Sequence, residues 1–142
     1  MNKKFFRVFI VVCLMLGMTT TTAFASTRTI NRTTRYYILN NGHYDYIVQN
    51  NSDNRPGALV TIDSVYTYDS KDREGTIQLS SVKTTITGDN ASKYYCETKR
   101  ISSKEVRLVM ETDDKEIGYV RMYITSGHGN LKSYCVNYRG PH

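Results

Sequence analysis

Residues 58–69 read ALVTIDSVYTYD, and this stretch decides the fold. Its apolar side chains alternate with polar ones, and the alternating apolar set is Ala58, Val60, Ile62, Tyr66 and Tyr68. A period of two is typical of a strand that is buried on one face. The rest of the chain is rich in Thr, Tyr, Val and Ser and has no long helical spacing of apolar residues. It predicts an all-β fold, a single small antiparallel β-sandwich or small barrel of about eight strands.

A hairpin is predicted just before this strand, at Asn41-Gly42. Asn-Gly is the preferred pair for a two-residue turn, because both positions adopt a positive φ. Such a turn places Leu39 opposite Tyr44 and Tyr37 opposite Tyr46 on one aromatic and apolar face. We expect that face to lie in the core.

The following strand, predicted over residues 76–87, contains an irregularity. Its apolar residues change parity between Leu79 and Val82, so a regular strand would turn one of them away from the core. One extra residue in the strand restores a common face. We therefore expect a β-bulge near Ser80 and Ser81.

A later pair of strands can be placed in register from its pattern. Two alternating apolar sets must share a face, namely Val106, Leu108 and Met110 on one strand and Val120, Met122 and Ile124 on the next. Pairing Leu108 with Met122 satisfies this condition. It leaves residues 114–116 as the loop.

The N-terminus has the three-part layout of a secretory signal peptide. Basic residues precede an uncharged apolar run at residues 8–18, and the small-residue motif Ala23-Phe24-Ala25 follows. We expect cleavage near Ala25 and a secreted, extracellular protein, and the short lysine-led form looks bacterial. The mature chain is then predicted to have a polar, basic arm at residues 26–34 and one β-sandwich domain at residues 35–142.

Two of the three cysteines, Cys96 and Cys135, lie outside the predicted signal peptide. An exported chain meets an oxidising environment, in which such a pair usually closes. We expect a disulfide, which would stabilise the fold by about 4 kcal/mol through closure of a loop of about 40 residues. Two buried free thiols are the alternative. A metal site needs more ligands than this pair supplies, and no cofactor is expected.

The charge of the mature chain limits the classes of partner. The predicted signal peptide contains 3 of the 19 basic residues and none of the 13 acidic ones, which leaves 16 against 13. The mature chain is only mildly basic, so nucleic acid is not an expected partner. Arg28, Arg32 and Arg35 could approach an anionic surface such as lipid head groups. A small extracellular effector acting on membranes, of antimicrobial type, is therefore an alternative function.

Tyrosine gives the main functional signal. The chain contains 12 tyrosines and no tryptophan, and a tyrosine ring packs while its hydroxyl reaches water. In the predicted register Tyr119, Arg121 and Tyr123 line the face opposite the core, beside Arg107 and Val109. Such a platform suits stacking on sugar rings or bases, or packing against a protein partner.

Few residues are candidates for acid–base chemistry. His43 and Asp45 are two apart on a predicted strand and so point to the same side. His128 lies between Gly127 and Gly129, where a flexible backbone could bring imidazole and amide donors to a substrate. A small secreted hydrolase using His43 or His128 is a second alternative function. No serine lies in a nucleophile-elbow pattern and no histidine pair has metal-ligand spacing, so no catalytic site is expected.

These patterns favour a secreted, non-enzymatic recognition protein that acts at or outside the cell surface. Its expected partner is a protein, a glycan or another cell-surface polymer. The expected contact residues are Tyr119, Arg121, Tyr123 and Arg107.

Overall fold

The computed structural model describes residues 26–125 and 130–138. These residues form the strands β1 (Thr27–Asn40), β2 (Asp45–Val48), β3 (Gly57–Asp69), β4 (Gln78–Gly88), β5 (Tyr95–Ser102), β6 (Glu105–Glu111), β7 (Glu116–Ile124) and β8 (Leu131–Asn137). A short helix, α1 (Arg73–Thr76), links β3 to β4, and a 3-10 turn (Ala91–Lys93) links β4 to β5. The strands make two four-stranded antiparallel sheets, in the orders β2-β1-β3-β4 and β5-β6-β7-β8. The predicted all-β sandwich is confirmed.

Some sequence predictions fall outside the described residues. The predicted signal peptide at residues 1–25 is one of them, and His128 with its two glycine neighbours is another. Within residues 26–125 and 130–138, no helix is both long enough and apolar enough to span a membrane.

β3 is an inner strand of the first sheet and has the alternation predicted from its sequence. Ala58, Val60, Ile62 and Tyr66 are buried, whereas Asp63 is exposed. The buried set packs against apolar side chains of the second sheet, which include Val106, Leu108, Met110, Val120 and Met122. Burial of one large aliphatic side chain contributes roughly 1.5–3 kcal/mol, so this shared layer holds the two sheets together.

A β-bulge occurs in β4 at the predicted place. Tyr66 pairs with Leu79, while the residue before Tyr66 pairs with Ser81, which leaves Ser80 as the extra residue. Leu79 is fully buried and Val82 packs against the same core. The bulge therefore brings both side chains to the inner face, as expected.

The first hairpin differs from its prediction. Its turn contains residues 41–44 rather than two residues, and Leu39 pairs with Tyr46 instead of Tyr44. The side-chain oxygen of Asn41 accepts hydrogen bonds from the backbone N–H groups of His43 and Tyr44, at 2.9 and 3.0 Å. The longer loop is thus stabilised by the asparagine that was predicted to form the tighter turn.

The core face of this hairpin is also the opposite of the predicted one. Tyr36, Ile38 and Ile47 belong to the core between the sheets. Leu39 and Tyr46 are buried on the other face, where the guanidinium of Arg55 lies 5.7 Å from the Tyr46 ring centroid. Both faces are apolar, so alternation alone does not distinguish them.

The predicted faces of β6 and β7 are confirmed, but their register is displaced by two residues. Leu108 pairs with Val120 rather than with Met122. A displacement of two keeps the same side chains inward, because side chains alternate with a period of two. The loop contains residues 112–115, and a bulge after Met110 accommodates it.

The segment predicted as a basic arm is instead the first half of β1. β1 pairs with β3 from Thr27 opposite Asp69 to Leu39 opposite Gly57, with no shift in register. Just before it, the backbone N–H of Ser70 donates to the carbonyl of Ser26 at 3.0 Å. The segment is extended and polar, but it is part of the sheet.

The predicted disulfide between Cys96 and Cys135 is wrong, because both residues are free thiols. They lie on β5 and β8, the opposite edge strands of the second sheet. Strands are spaced about 4.8 Å apart, so the two edges are about 14 Å from each other. A disulfide needs Cα atoms within about 7 Å. The order of strands in the sheet therefore keeps the two thiols apart.

Candidate recognition face

The outward face of the second sheet gathers the residues predicted for recognition. In β6 and β7 alternate side chains point away from the core, and the pairing sets Arg107 beside Arg121 and Val109 beside Tyr119. β8 places Tyr134 on the other side of Arg121. We call this surface the tyrosine–arginine face, and it consists of Glu105, Arg107, Tyr119, Arg121, Tyr123, Tyr134 and Tyr138.

Arg121 lies at the centre of the tyrosine–arginine face. Its guanidinium carbon is 4.1 Å from the ring centroid of Tyr123 and 5.4 Å from that of Tyr134. The guanidinium also donates hydrogen bonds to the Glu105 carboxylate at 2.8 Å and to the Tyr134 hydroxyl at 3.1 Å. A planar guanidinium can stack and donate in this way at the same time. These contacts fix the arginine and the two rings in one arrangement.

Glu105 pairs with both arginines of this face. One carboxylate oxygen accepts from Arg121, and the other lies 3.3 Å from Nε of Arg107. The hydrogen bond from Arg121 lowers the pKa of Glu105 against the opposing effect of desolvation, and Arg107 lowers it further. In turn, the hydrogen bond to Glu105 raises the pKa of Arg121. The two groups therefore remain an ion pair over the neutral pH range.

The tyrosine rings form two pairs, each of which joins a ring on β7 to a ring on β8 or just after it. Tyr123 and Tyr134 have ring centroids 5.8 Å apart at an interplanar angle of 74°, and Tyr119 and Tyr138 are 6.2 Å apart at 60°. Tyr134 is 41% exposed and Tyr138 is 51% exposed. The face thus presents flat apolar area and phenolic hydroxyls to solvent, with few side-chain rotations to restrict on binding.

All four residues predicted for binding lie together on this face, and each is half-buried. Glu105, Tyr134 and Tyr138 also belong to this face, although they are not among the residues predicted for binding. The sequence does contain a pattern that indicates where the two tyrosines point. Tyr134 and Tyr138 alternate with Cys135, which packs against the core. Once β8 is known to lie beside β7, this alternation sends both rings outward.

Asp45, predicted as a partner of His43, is buried and has other partners. Its carboxylate accepts hydrogen bonds from the Tyr94 hydroxyl at 2.7 Å and the Asn40 amide at 3.0 Å, and the Lys93 ammonium lies 3.5 Å away. Burial acts to raise the pKa of Asp45, but these three partners outweigh it and lower the pKa. His43 lies exposed in the turn. Within the described part of the chain, the structure therefore does not form the expected His43–Asp45 pair.

The three arginines considered for membrane contact lie along β1. Because side chains alternate in a strand, Arg28 and Arg32 point to one side of the sheet and Arg35 to the other. The three charges do not converge on a single flat surface.

Comparison of the chain with protein-family models, curated proteins and solved structures found no match. Within residues 26–125 and 130–138, no group of three His, Cys, Asp or Glu residues is placed to hold a metal ion. Ring–ring, guanidinium–ring and ion-pair contacts link all seven residues of the tyrosine–arginine face.

Proposed function

We propose that this protein is a secreted, non-enzymatic recognition protein that binds a glycan or similar neutral cell-surface polymer through the tyrosine–arginine face. The observation that carries the proposal is the placement of Arg121 against Tyr123 and Tyr134, with exposed tyrosine rings at the margin of this cluster. Export is supported by the signal-peptide pattern of residues 1–25.

The contacts that Arg121 already makes favour a neutral ligand over an anionic one. The guanidinium of Arg121 already contacts a carboxylate, a hydroxyl and two rings. An anionic ligand would have to displace Glu105 to reach it, and that would leave a partly buried carboxylate without its partner. A sugar ring presents an apolar C–H face together with hydroxyls, which matches tyrosine rings and their phenolic oxygens.

The rigidity of the face also supports a binding role. Ring–ring and guanidinium–ring contacts hold the tyrosines before any ligand arrives. A prearranged surface loses less conformational entropy on binding, which improves affinity at a given contact area.

Binding to cell-wall polysaccharide, and to a panel of soluble oligosaccharides, tests the proposal. We expect Tyr134→Ala and Tyr138→Ala each to weaken binding about tenfold, the effect typical of an exposed aromatic contact residue. Tyr95→Ala is the matched control, because Tyr95 is 47% exposed and lies on β5, at the far edge of the same sheet. This control is expected to bind as the wild type does.

Unchanged binding by the Tyr134→Ala, Tyr138→Ala double variant would show that the face is not the site. If the protein binds another protein but no glycan, and the tyrosine variants lose that binding, the tyrosine–arginine face is the binding site but its ligand is a protein.

A further inference from the structure

β1 is longer than the strand that covers one of its edges. On one side it pairs with β3 from Thr27 to Leu39, and on the other it pairs with β2 only from Tyr37 to Asn40. Between Thr27 and Tyr36, no described strand lies on this second side. Among the described residues, the first sheet therefore has an open edge next to the end of β2.

The hydrogen bonds between β1 and β3 determine which backbone N–H and C=O groups of β1 point to the open edge. Ser26 accepts a hydrogen bond from Ser70, and the register with β3 continues without a shift. In an antiparallel pair, hydrogen-bonded residues alternate with those whose N–H and C=O point away. Even-numbered residues of β1 thus bond to β3, and the odd-numbered ones direct both groups to the open edge, namely Thr27, Thr29, Asn31, Thr33 and Arg35.

The open edge borders a groove of about 580 Å³. Its lining comes from β1, from the start of β8 and from the residue after β2, and it comprises Thr33, Thr34, Arg35, Gln49, Asn130, Leu131, Lys132 and Ser133. A strand entering this groove would continue the line of β2 and lie beside β8. Addition of an extended peptide to a sheet edge is an established mode of recognition.

The outer edges of β2 and β4 each have a backbone group that bonds to a residue outside the first sheet. On β2, the side-chain amide of Asn137 accepts from the N–H of Ile47 at 2.6 Å and donates to its carbonyl at 2.9 Å. On β4, the N–H of Leu79 donates to the carbonyl of Ser103 at 2.7 Å. The first half of β1 has no proline and no bulge. Of the common means of blocking an edge it has only charged side chains, and these are all basic, so they repel a basic strand but not an acidic one.

Charge indicates which kind of strand would bind. Arg35 and Lys132 line the groove, no acidic residue lines it, and Arg28 and Arg32 lie further along β1. Among the described residues, none of these four cations forms an ion pair. A second copy of this chain would bring three more arginines to the same edge, and this accumulation of like charge is less favourable than an acidic strand.

We infer that the open edge of β1 binds an extended, acidic segment of another polypeptide by β-strand addition. The odd-numbered backbone groups supply the hydrogen bonds, and Arg35 and Lys132, which line the groove, select for acidic side chains. This site lies on the first sheet, so it is independent of the glycan contact proposed for the tyrosine–arginine face.

The test uses the whole protein and a peptide of about ten residues in which Glu alternates with Val. We expect binding in low-salt buffer, with new amide-exchange protection at the odd-numbered residues of β1, and no binding of the same peptide with Lys in place of Glu. Arg35→Glu should weaken binding about tenfold. Lys83→Glu makes the same charge change on β4, at the opposite edge of the first sheet, and should leave affinity within about twofold.

Thr33→Pro separates the hydrogen-bonding role from the charge. Its N–H faces the groove, so proline leaves the ladder with β3 intact and removes one donor to the peptide. We expect about tenfold weaker binding, with an unchanged circular dichroism spectrum. Absence of binding at millimolar peptide, protection on another strand, or full affinity in Thr33→Pro would overturn the inference. So would a dimer with protected β1 amides in the absence of peptide, which would assign the edge to a second copy.

Discussion

At the scale of single residues, Asp45 shows how a distant partner changes the role of a side chain. The sequence pairs it with His43, two positions away, but its shortest hydrogen bond comes from Tyr94. No local pattern indicates this contact, because it depends on how one sheet packs on the other. The carboxylate therefore belongs to the buried structure rather than to a catalytic pair.

The stability contributed by the hydrogen bond between Tyr94 and Asp45 can be measured with Tyr94→Phe. The substitution keeps the ring and removes one hydrogen bond to a buried carboxylate, so we expect a loss of about 2 kcal/mol in the free energy of unfolding at neutral pH. Urea denaturation gives the value. Tyr95→Phe is the control, because Tyr95 is exposed, and it should change stability by less than about 0.5 kcal/mol.

The effect of Tyr94→Phe should also depend on pH. The pKa of Asp45 is lowered in the folded state, so its contribution is present above the unfolded-state pKa of about 3.9 and is lost as the pH falls through the folded-state value. The variant lacks one of the groups that lower this pKa and has less to lose in acid. The difference between the two proteins should therefore shrink below about pH 4. A constant difference from neutral pH into acid would contradict an ionised Asp45 in the folded protein.

At the scale of elements, the sequence predicts strands well where only one face is apolar. β3 has polar residues between its core residues, and its inward face is the predicted one. The change of parity in β4 even places the bulge at Ser80. The first hairpin is apolar on both faces, so the core face predicted from its sequence is wrong, and the Asn41 side chain stabilises a longer turn than predicted. Alternation is informative only when the two faces differ in polarity.

The open edge of β1 predicts an alternating pattern of amide exchange in the free protein. Amides of Arg28, Arg32 and Thr34 are expected to bond to β3 and to exchange slowly, while those of Thr29, Asn31 and Thr33 face the groove and should exchange quickly. Nuclear magnetic resonance resolves the individual residues. In β3, which has a strand on each side, neighbouring amides should both be slow. Uniform protection along the first half of β1 would show that its edge is already covered.

At the scale of the whole molecule, the order of strands is the property that local pattern does not supply. Tyr119, Arg121 and Tyr123 could be assigned to an outward face because they alternate with core residues of β7. Their partners Glu105 and Tyr134 come from two different neighbouring strands. Which strands are adjacent depends on the topology of the sheet, and local sequence pattern does not reveal it. The cysteines make the same point, because the predicted export favours a disulfide, whereas the order of strands places the thiols at opposite edges of the sheet.

This separation of Cys96 and Cys135 predicts that the folded protein does not depend on oxidation. A disulfide would add about 4 kcal/mol to the free energy of unfolding, and its reduction would lower the Tm by more than about 10 °C. Because the thiols are free, we expect no change in the Tm when reductant is added. Burial raises the pKa of both thiols, so alkylation should be slow in the native protein and complete after denaturation without reductant. Peptide mapping would locate the two adducts. The opposite result would be thiols that resist alkylation after denaturation and a Tm that falls on reduction. It would require β5 and β8 to lie close together, and therefore a different order of strands in the second sheet.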